Sequence, residues 1–414
     1  MMMDPRELRI DDFDYSLPDD RIARYPLPDR AAAKLLHYRE GTVTDRHFRE
    51  LPDLLPAGTL LVGNSTRVIH ARLYFPLPTG RTVEIFCLEP LRPVDYALSL
   101  SATQGAVEWK CLIGGNRRWK SGSISLPVHQ ADDTFTLVAE RLERTDDTFT
   151  VRFTWSGPRE LSFGELLEAA GTIPLPPYLG RAAEGEDHHR YQTVFAEREG
   201  SVAAPTAGLH FTPQVMEGLV DREVDFRTLT LHVGAGTFKP VSAPNLGGHV
   251  MHREYFSVSI ELLHRLEAQL RAGRPIVSIG TTSMRCLESL FYLGARGMTE
   301  GNWENELGQW VATEASVSRT DAAPALAALI HHLEMTNSES FTGYTQLMLT
   351  PAARPRIVDG LITNFHQPRS TLLLLVAAMV GDAWKDIYQH ARETDYRFLS
   401  YGDSSLLWRR SAGA

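Results

Sequence analysis

Between residues 72 and 154, short runs of alternating apolar and polar residues follow one another closely. TVEIF at 82–86 and AVEWK at 106–110 are examples, and the alternation continues at 134–140 and 148–155. Clusters of Gly, Pro, Asn and Asp separate these runs. A period of two is typical of strands with one buried face, and several such strands at this spacing favour a barrel. We therefore predict a small antiparallel β-barrel in this part of the chain.

The rest of the chain follows a different pattern, in which apolar strands alternate with helices. PIVSI at 275–279 predicts a strand, and TTS at 281–283 predicts the cap of a helix through Leu290. Residues 357–365 predict another strand, and Ser370 is suited to cap the apolar helix that follows. This alternation predicts an α/β sheet with a ligand crevice at the strand ends.

Because the α/β pattern flanks the barrel segment on both sides, we interpret the barrel as an insertion. The expected fold class is α/β, with a mixed-sheet catalytic domain and an inserted small antiparallel β-barrel domain. The catalytic domain would comprise residues 1–71 and 155–414, and the inserted domain residues 72–154. A chain of 414 residues is long enough for more than one hydrophobic core.

The composition is that of a globular protein with more acidic than basic residues. Hydrophobic residues make up 43% and charged residues 22%, and the formal net charge is −9. This charge argues against a broad basic surface, so contact with a nucleic acid requires local basic patches.

The widely spaced Cys87, Cys111 and Cys286 indicate reduced thiols rather than a metal site. The start does not resemble a signal peptide, and the longest apolar run has nine residues, at 372–380. We expect a cytoplasmic monomer that does not enter a membrane.

Residues 200–213 combine small side chains with a histidine near the start of a helix. The segment is GSVAAPTAGLHFTP, in which Thr212 and Pro213 form an N-cap and first-turn signal. Small residues let the backbone approach a ligand, so Thr206 and Gly208 are candidate ligand contacts and His210 is a candidate catalytic residue. A tight structural turn explains the same pattern equally well.

A second candidate ligand site is the helix start TTSMR at 281–285. Free backbone N–H groups, the hydroxyls and the cation at this position suit a carboxylate or phosphate. The residues concerned are Thr281, Thr282, Ser283 and Arg285. Ordinary helix capping is the alternative.

The glycine-containing loop GAGT at 234–237 lacks the third glycine of a dinucleotide-binding motif. The following residues, FKP at 238–240, end any helix. We interpret Gly234 and Gly236 as a backbone surface for an adenosine or a base, with Phe238 as a stacking face. A hairpin-like turn is the alternative, because such turns are commonly rich in glycine.

Four loops beside predicted strands carry histidines that are candidate catalytic residues. They are His210, His232, His252 and His366. Histidine moves protons near neutral pH, and the four could form one polar cavity. A zinc site is a rival interpretation, because His249 and His252 are three residues apart. No HExxH motif or nearby Cys pair accompanies them, so we expect no metal. For any single histidine, a hydrogen-bonded structural ring is the alternative.

Several long segments of unusual composition resemble one enzyme family. They extend in family order from about Tyr15 to Leu407 and include IPLPPYLGR, RYQTVFA, GSVAAPTAGLHFT, TLHVGAGTFKPV, HVMHREYF, IVSIGTTSMRCLES, VDGLITNFHQPRSTLLLLVAAMVG and YRFLSYGDSSLL. The chain resembles the S-adenosylmethionine:tRNA ribosyltransferase-isomerases of queuosine biosynthesis.

The resemblance implies transfer and isomerisation of the ribosyl part of S-adenosylmethionine onto 7-aminomethyl-7-deazaguanine at the tRNA wobble position. The products are epoxyqueuosine-tRNA, adenine and methionine. S-adenosylmethionine is then a co-substrate, no prosthetic group is needed, and the partner is a precursor-bearing tRNA with a G-U-N anticodon. The resemblance also implies that residues 281–285 hold the methionine carboxylate.

This chemistry needs a base for the proton beside the sulfonium and an acid at the departing adenine. We expect His210 or His232 to handle the proton beside sulfur, and His252 or His366 to assist the departure of adenine.

The candidates for contact with tRNA fall into two groups: Tyr178, Arg190 and Tyr191 near the rigid PLPPY segment, and Arg117, Arg118 and Lys120 around Trp119 in the predicted barrel. Phosphates bind cations, and an unstacked anticodon base needs an aromatic or guanidinium surface. Scaffolding is the alternative for the first group, and a solvated charged hairpin is the alternative for the second.

Three positions depart from the family pattern. Ser65 replaces an Asp, His70 stands where Pro is common, and the turn at 349–355 lacks the usual Pro-Gly. A second hypothesis is therefore a non-catalytic or differently specific tRNA-binding paralogue. An S-adenosylmethionine methyltransferase is not favoured, because its Gly-rich strand–helix motif is not evident.

Overall fold

The computed structural model describes residues 4–234, 243–314 and 320–410, so Gly236 and Phe238 lie outside the described residues. The strands are β1 (Lys34–Arg39), β2 (Thr42–His47), β3 (Leu60–Asn64), β4 (Thr66–Val68), β5 (Arg72–Pro76), β6 (Thr82–Arg92), β7 (Ala106–Gly114), β8 (Ser123–Gln130), β9 (Asp133–Thr145), β10 (Thr148–Ser156), β11 (Arg198–Ser201), β12 (Asp225–Leu231), β13 (Glu254–Ser259), β14 (Ile276–Ile279), β15 (Glu306–Leu307), β16 (Ser340–Thr345), β17 (Gly360–Asn364) and β18 (Ser404–Trp408).

The α-helices alternate with the later strands. They are α1 (Leu51–Leu54), α2 (Tyr96–Ser101), α3 (Phe163–Ala170), α4 (Asp187–Arg190), α5 (Pro213–Asp221), α6 (Ile260–Arg271), α7 (Thr281–Glu300), α8 (Ala322–Met335), α9 (Thr371–Val380) and α10 (Trp384–Glu393). Across the described ranges, no helix has the length and apolar character needed to cross a bilayer.

Ten strands of the described chain form one mixed sheet, in the order β15-β16-β13-β12-β3-β14-β17-β18-β1-β2. At its centre β12, β3, β14 and β17 are parallel neighbours. Every residue of β3, β14 and β17 is buried, as expected for parallel strands that are covered on both faces. This burial explains why the sequences of these strands are mainly apolar.

The strands and helices predicted around β14 and β17 are present, but their bounds differ from the prediction. The helix after β14 begins at Thr281 but continues beyond the predicted Leu290 to Glu300. It continues because residues 291–295 are buried and the helix packs along α8, a partner that the local pattern does not reveal. The strand predicted at 357–365 is shorter, and Ser370 caps α9 by accepting from the Leu373 N–H group.

Strands β5 to β10 form a separate antiparallel sheet in the order β5-β6-β7-β10-β9-β8. Its end strands β5 and β8 lie against each other, so the sheet nearly closes into a barrel. Its interior contains large buried rings, including Trp109, Phe135 and Phe153. The predicted fold class is confirmed, while the domain limits at 1–71, 72–154 and 155–414 stay a prediction.

Candidate active site

A cavity lies at the carboxyl ends of the parallel strands, where α/β sheets commonly bind their ligands. It has a volume of about 80 Å³ and opens to solvent. Its walls come from segments that are far apart in the chain: 203–207, 280–282 and 363–367, with Tyr178, Val233, Ser370, Leu372, Leu399 and Ser400. The motifs AAPTA, GTT and TNFHQ therefore meet in one place.

The amino terminus of α7 forms one wall of this cavity. Gly280 has φ +88°, a conformation that favours glycine, and it leads directly from β14 into the helix. Thr281 and Thr282 line the cavity, and the first-turn N–H groups have no partner within the helix. The 20-residue helix also has a positive dipole end at this point. This wall suits a carboxylate, although contact of the two threonines with a ligand stays a prediction.

Ser283 and Arg285 do not line this cavity. Ser283 is fully buried, and the Arg285 guanidinium forms an ion pair with Glu254 of β13, with side-chain exposures of only 7% and 4%. Because the Arg285 charge is already neutralised inside the protein, the geometry gives Arg285 a structural role under the helix in place of the predicted ligand contact.

The small residues at 203–207 form another wall. Thr206 lines the cavity, but Gly208 does not. A Cβ atom on Gly208 would lie 2.7 Å from Thr193 Cγ2 and 2.8 Å from Phe195 Cζ. Glycine at this position therefore serves internal packing rather than the predicted approach of a ligand. Gly234 does not line the cavity either.

Of the four candidate histidines, only His366 lines this cavity. It is 9% exposed, and its Nε2 lies 2.9 Å from Thr363 Oγ1. Burial lowers its pKa to about 3. The ring is therefore neutral near pH 7 and can accept a proton from a bound substrate.

We expect this buried ring to make the fold sensitive to acid. The unfolded histidine has a pKa near 6.5 and the folded one about 3, so between these values the unfolded chain binds more protons. Stability is therefore lost as the pH falls through this window, and His366 alone costs about 2 kcal/mol between pH 7 and pH 5. Urea unfolding at both pH values should show that His366→Gln loses about 2 kcal/mol less than the wild type. An equal loss would contradict the assignment.

His210 has the contacts of a structural histidine. Its Nε2 lies 2.9 Å from the Gly402 carbonyl oxygen, and its Nδ1 lies 3.3 Å from that of Ala207. Burial is the main cause that lowers its pKa, so a neutral ring donates to the nearer carbonyl. The ring also stacks on Phe48 with 5.0 Å between centroids. These contacts support the structural alternative for His210.

His232 and His252 lie elsewhere. His232 lines a second cavity, where its ring stacks on Tyr96, and burial lowers its pKa to about 4. His252 is exposed and lines neither cavity. The expectation that the four histidines form one polar cavity is therefore wrong, because only His366 lines the first cavity, His232 lines the second and His210 is held by internal contacts.

The segment around Tyr178 is mainly internal. Tyr178 lines the first cavity, and its hydroxyl lies 2.6 Å from Ser400 Oγ. Tyr191 is fully buried, so it cannot reach a tRNA in this conformation. The Arg190 guanidinium donates to the carbonyl oxygens of Leu27 and Pro28. The scaffolding alternative therefore fits Arg190 and Tyr191 better than direct contact with tRNA.

On the barrel-like sheet, Arg117, Arg118 and Lys120 are exposed. Trp119 is only 2% exposed and donates its Nε1–H to the Gly122 carbonyl, so it belongs to the barrel core and offers no stacking face. Arg117 and Lys120 line a concave surface together with Arg141 and Arg144 of β9. The sequence did not reveal these last two residues, because only strand pairing brings them to the cluster.

Other residues of the first cavity were also missed. Thr363, Asn364, Gln367 and Ser400 line it, although none was a candidate. The signal that could have found the first three is the polar TN–HQ pattern at the end of the buried strand β17. Ser400 lies in the turn before β18 and had no comparable signal.

The departures from the family pattern lie outside the first cavity. Ser65 is buried, and its hydroxyl donates to the Leu229 carbonyl oxygen at 3.2 Å. The neighbouring Asn64 side chain exchanges two hydrogen bonds with the Leu231 backbone. This turn therefore ties β3 to β12, and a hydroxyl suffices at Ser65.

Within the described ranges, no group of three or more His, Cys, Asp or Glu side chains could hold a metal ion.

The fold and cavity describe an α/β protein with a ligand site at its strand ends, and comparison with known proteins adds the family. The family model described as "Queuosine biosynthesis protein" matches residues 10–407. The S-adenosylmethionine:tRNA ribosyltransferase-isomerase of Aromatoleum aromaticum is 37% identical over 405 residues, which cover 98% of this chain and 99% of that protein. The protein of the same name from Xanthomonas oryzae pv. oryzae is 38% identical, with 97% of each chain covered.

A solved structure of S-adenosylmethionine tRNA ribosyltransferase from Thermotoga maritima is 28% identical, covers 95% of this chain and 99% of that chain, and has a TM-score of 0.45. On the family match and the two full-length relatives, this chain belongs to the queuosine biosynthesis protein family.

Proposed function

We propose that this protein is an S-adenosylmethionine:tRNA ribosyltransferase-isomerase. It transfers and isomerises the ribosyl part of S-adenosylmethionine onto 7-aminomethyl-7-deazaguanine at the tRNA wobble position, and it releases adenine and methionine. The tRNA carries a G-U-N anticodon, and the protein acts in the cytoplasm as a monomer without a prosthetic group.

One observation carries this proposal. The match to relatives of this name covers 97–98% of the chain, and three separate motifs of the resemblance line one cavity at the strand ends. Ser65 and His70 do not line that cavity, so no observation favours the non-catalytic paralogue.

The cavity provides the parts that the reaction needs. The α7 amino terminus, with Thr281 and Thr282, binds the methionine carboxylate of S-adenosylmethionine. The short side chains at 203–207 let the ribose and adenine approach the backbone. His366 is neutral near pH 7, so it is better suited to accept the proton beside the sulfonium than to assist adenine departure as first expected.

Release of adenine tests the proposed function. The protein is incubated with S-adenosylmethionine and an anticodon stem-loop that carries the aminomethyl base, and adenine and methionine are quantified. We expect equimolar release that depends on the modified stem-loop. S-adenosylhomocysteine as the product would indicate a methyltransferase, and no turnover would favour the non-catalytic paralogue.

We also expect the basic cluster on the barrel-like sheet to bind tRNA phosphates. Changing Arg117, Arg118 and Lys120 together to Gln should weaken tRNA binding and reduce its salt slope by up to about 0.9 per lost phosphate contact. The apparent Michaelis constant for S-adenosylmethionine should stay unchanged, because these residues lie outside the first cavity.

The matched control for this variant removes two exposed arginines and one exposed lysine outside the barrel-like sheet: Arg46, Arg265 and Lys385. If both triple variants gave the same affinity and salt slope in titrations, the barrel cluster would be only a solvated surface.

A further inference from the structure

The second cavity lies between helices α2 and α3 and strands β12, β13 and β16 of the mixed sheet. It has a volume of about 700 Å³ and opens to solvent. It is large enough for a nucleoside. None of its lining residues lines the first cavity.

One wall of the second cavity is aromatic. The rings of Tyr96 and His232 are stacked at 3.9 Å with an interplanar angle of 4°, and Tyr255 lies 5.7 Å from His232. Gly200, with φ +129°, makes room for this stack, because a Cβ there would lie 2.7 Å from both rings. Flat rings of this kind pack well against a heterocyclic base.

The His232 ring is held in this wall beside Gly200. The side chain is only 8% exposed, and its Nδ1 is buried without a hydrogen bond of normal geometry to the described residues. The Gly200 backbone lies beside the ring and partly offsets the effect of burial on the pKa. The buried Nδ1 therefore faces Gly200, and this contact fixes the position of the ring in the wall.

The charge of the second cavity selects the kind of ligand. Among the described residues, the lining carboxylates outnumber the one lining cation, Arg198, and they are Asp95, Glu165, Glu168 and Glu199. Arg67 approaches Glu168 and Glu199 at 3.7 and 3.8 Å. Such a surface repels phosphate and attracts a group that carries an ammonium.

The two cavities are neighbours. His232 lines the second cavity and Val233 lines the first, so consecutive residues face the two sites. Consecutive Cα atoms are about 3.8 Å apart. Both sites therefore adjoin the same short segment after β12.

We propose that the second cavity binds the aminomethyl-deazaguanine base of the tRNA. The base packs against the wall formed by Tyr96, His232 and Tyr255, and Asp95 and Glu199 attract its aminomethyl group. The reacting amine then lies next to S-adenosylmethionine in the first cavity. This inference rests on the proposed function, and it assigns the two substrates to separate cavities.

Binding of two synthetic anticodon stem-loops tests this assignment. One carries 7-aminomethyl-7-deazaguanine at the wobble position and the other carries guanine, and the Kd is measured by fluorescence anisotropy without S-adenosylmethionine. We expect the wild type to prefer the aminomethyl stem-loop. Asp95→Asn with Glu199→Gln should weaken binding of that stem-loop by about 10- to 100-fold and leave the guanine stem-loop almost unaffected.

The controls separate recognition from folding. Asn at position 95 can still cap α2, where Asp95 accepts from the Leu98 N–H group. Asp20→Asn with Glu217→Gln makes the same charge change on exposed residues elsewhere and should bind like the wild type. Tyr96→Phe should retain binding, while Tyr96→Leu should weaken both stem-loops because the aromatic surface is lost.

Equal affinities of the wild type for the aminomethyl and guanine stem-loops would overturn the inference. Equal Kd values of the two double variants for the aminomethyl stem-loop would also overturn it. Adenine release by the wild type would still support the proposed function in that case. Absence of adenine release by the wild type would instead refute the proposed function.

Discussion

Replacing His366 with Gln should lower the single-turnover rate of adenine release by about 10²- to 10⁴-fold, the usual contribution of a positioned acid or base. The reason is that His366 lines the first cavity as a neutral ring and Gln cannot accept the proton. S-adenosylmethionine should still bind within a few-fold of the wild-type affinity. Rapid-quench assays at saturating substrate would measure the rate.

Two further variants make this result specific. His331→Gln changes an exposed histidine of α8 and should retain the full rate. Thr363→Val removes the hydroxyl that lies 2.9 Å from His366 Nε2, so it should reduce the rate less and displace its pH profile. A His366→Gln rate within threefold of the wild type would rule out the proposed role.

Removing the Glu254 carboxylate should destabilise the protein by about 3–5 kcal/mol, because Arg285 would remain buried without its partner. Urea unfolding of Glu254→Ala would measure this loss. The paired change Glu254→Leu with Arg285→Met should restore much of the stability, because it leaves no buried charge.

The exposed ion pair between Asp53 and Arg222 provides the comparison for Glu254. Both of these side chains are 59% exposed, so Asp53→Ala should cost no more than about 1 kcal/mol. Similar losses for Glu254→Ala and Asp53→Ala would contradict the structural role given to Arg285.

The elements that the sequence predicted well are those whose signals are local. The alternation at 82–86 and 106–110 corresponds to parts of β6 and β7, and the cap signals at Thr212 and Ser370 mark the starts of α5 and α9. The extension of α7 to Glu300 was missed because burial against α8 stabilises it. Such packing depends on residues that are distant in the sequence.

Prediction of the candidate active site from the sequence meets the same limit. The helix start at Thr281 and the small residues around Thr206 could be recognised because their residue types have a local physical meaning. Whether a charged or polar side chain is already satisfied inside the protein is a tertiary property. Arg285 pairs with Glu254, and His210 contacts Gly402. In each pair the two residues are far apart in the sequence.

The position of β18 has a consequence for how the protein forms during translation. β18 lies between β17 and β1, so the hairpin of β1 and β2 can join the mixed sheet only after residues 404–408 have left the ribosome. Until then the β1 edge is unpaired for more than 300 residues of synthesis and is exposed to aggregation. Leu399 and Ser400 also reach the first cavity only at this late stage. The nascent chain should therefore depend on chaperones that shield strand edges, and it should acquire affinity for its small substrate only when synthesis of this strand is complete.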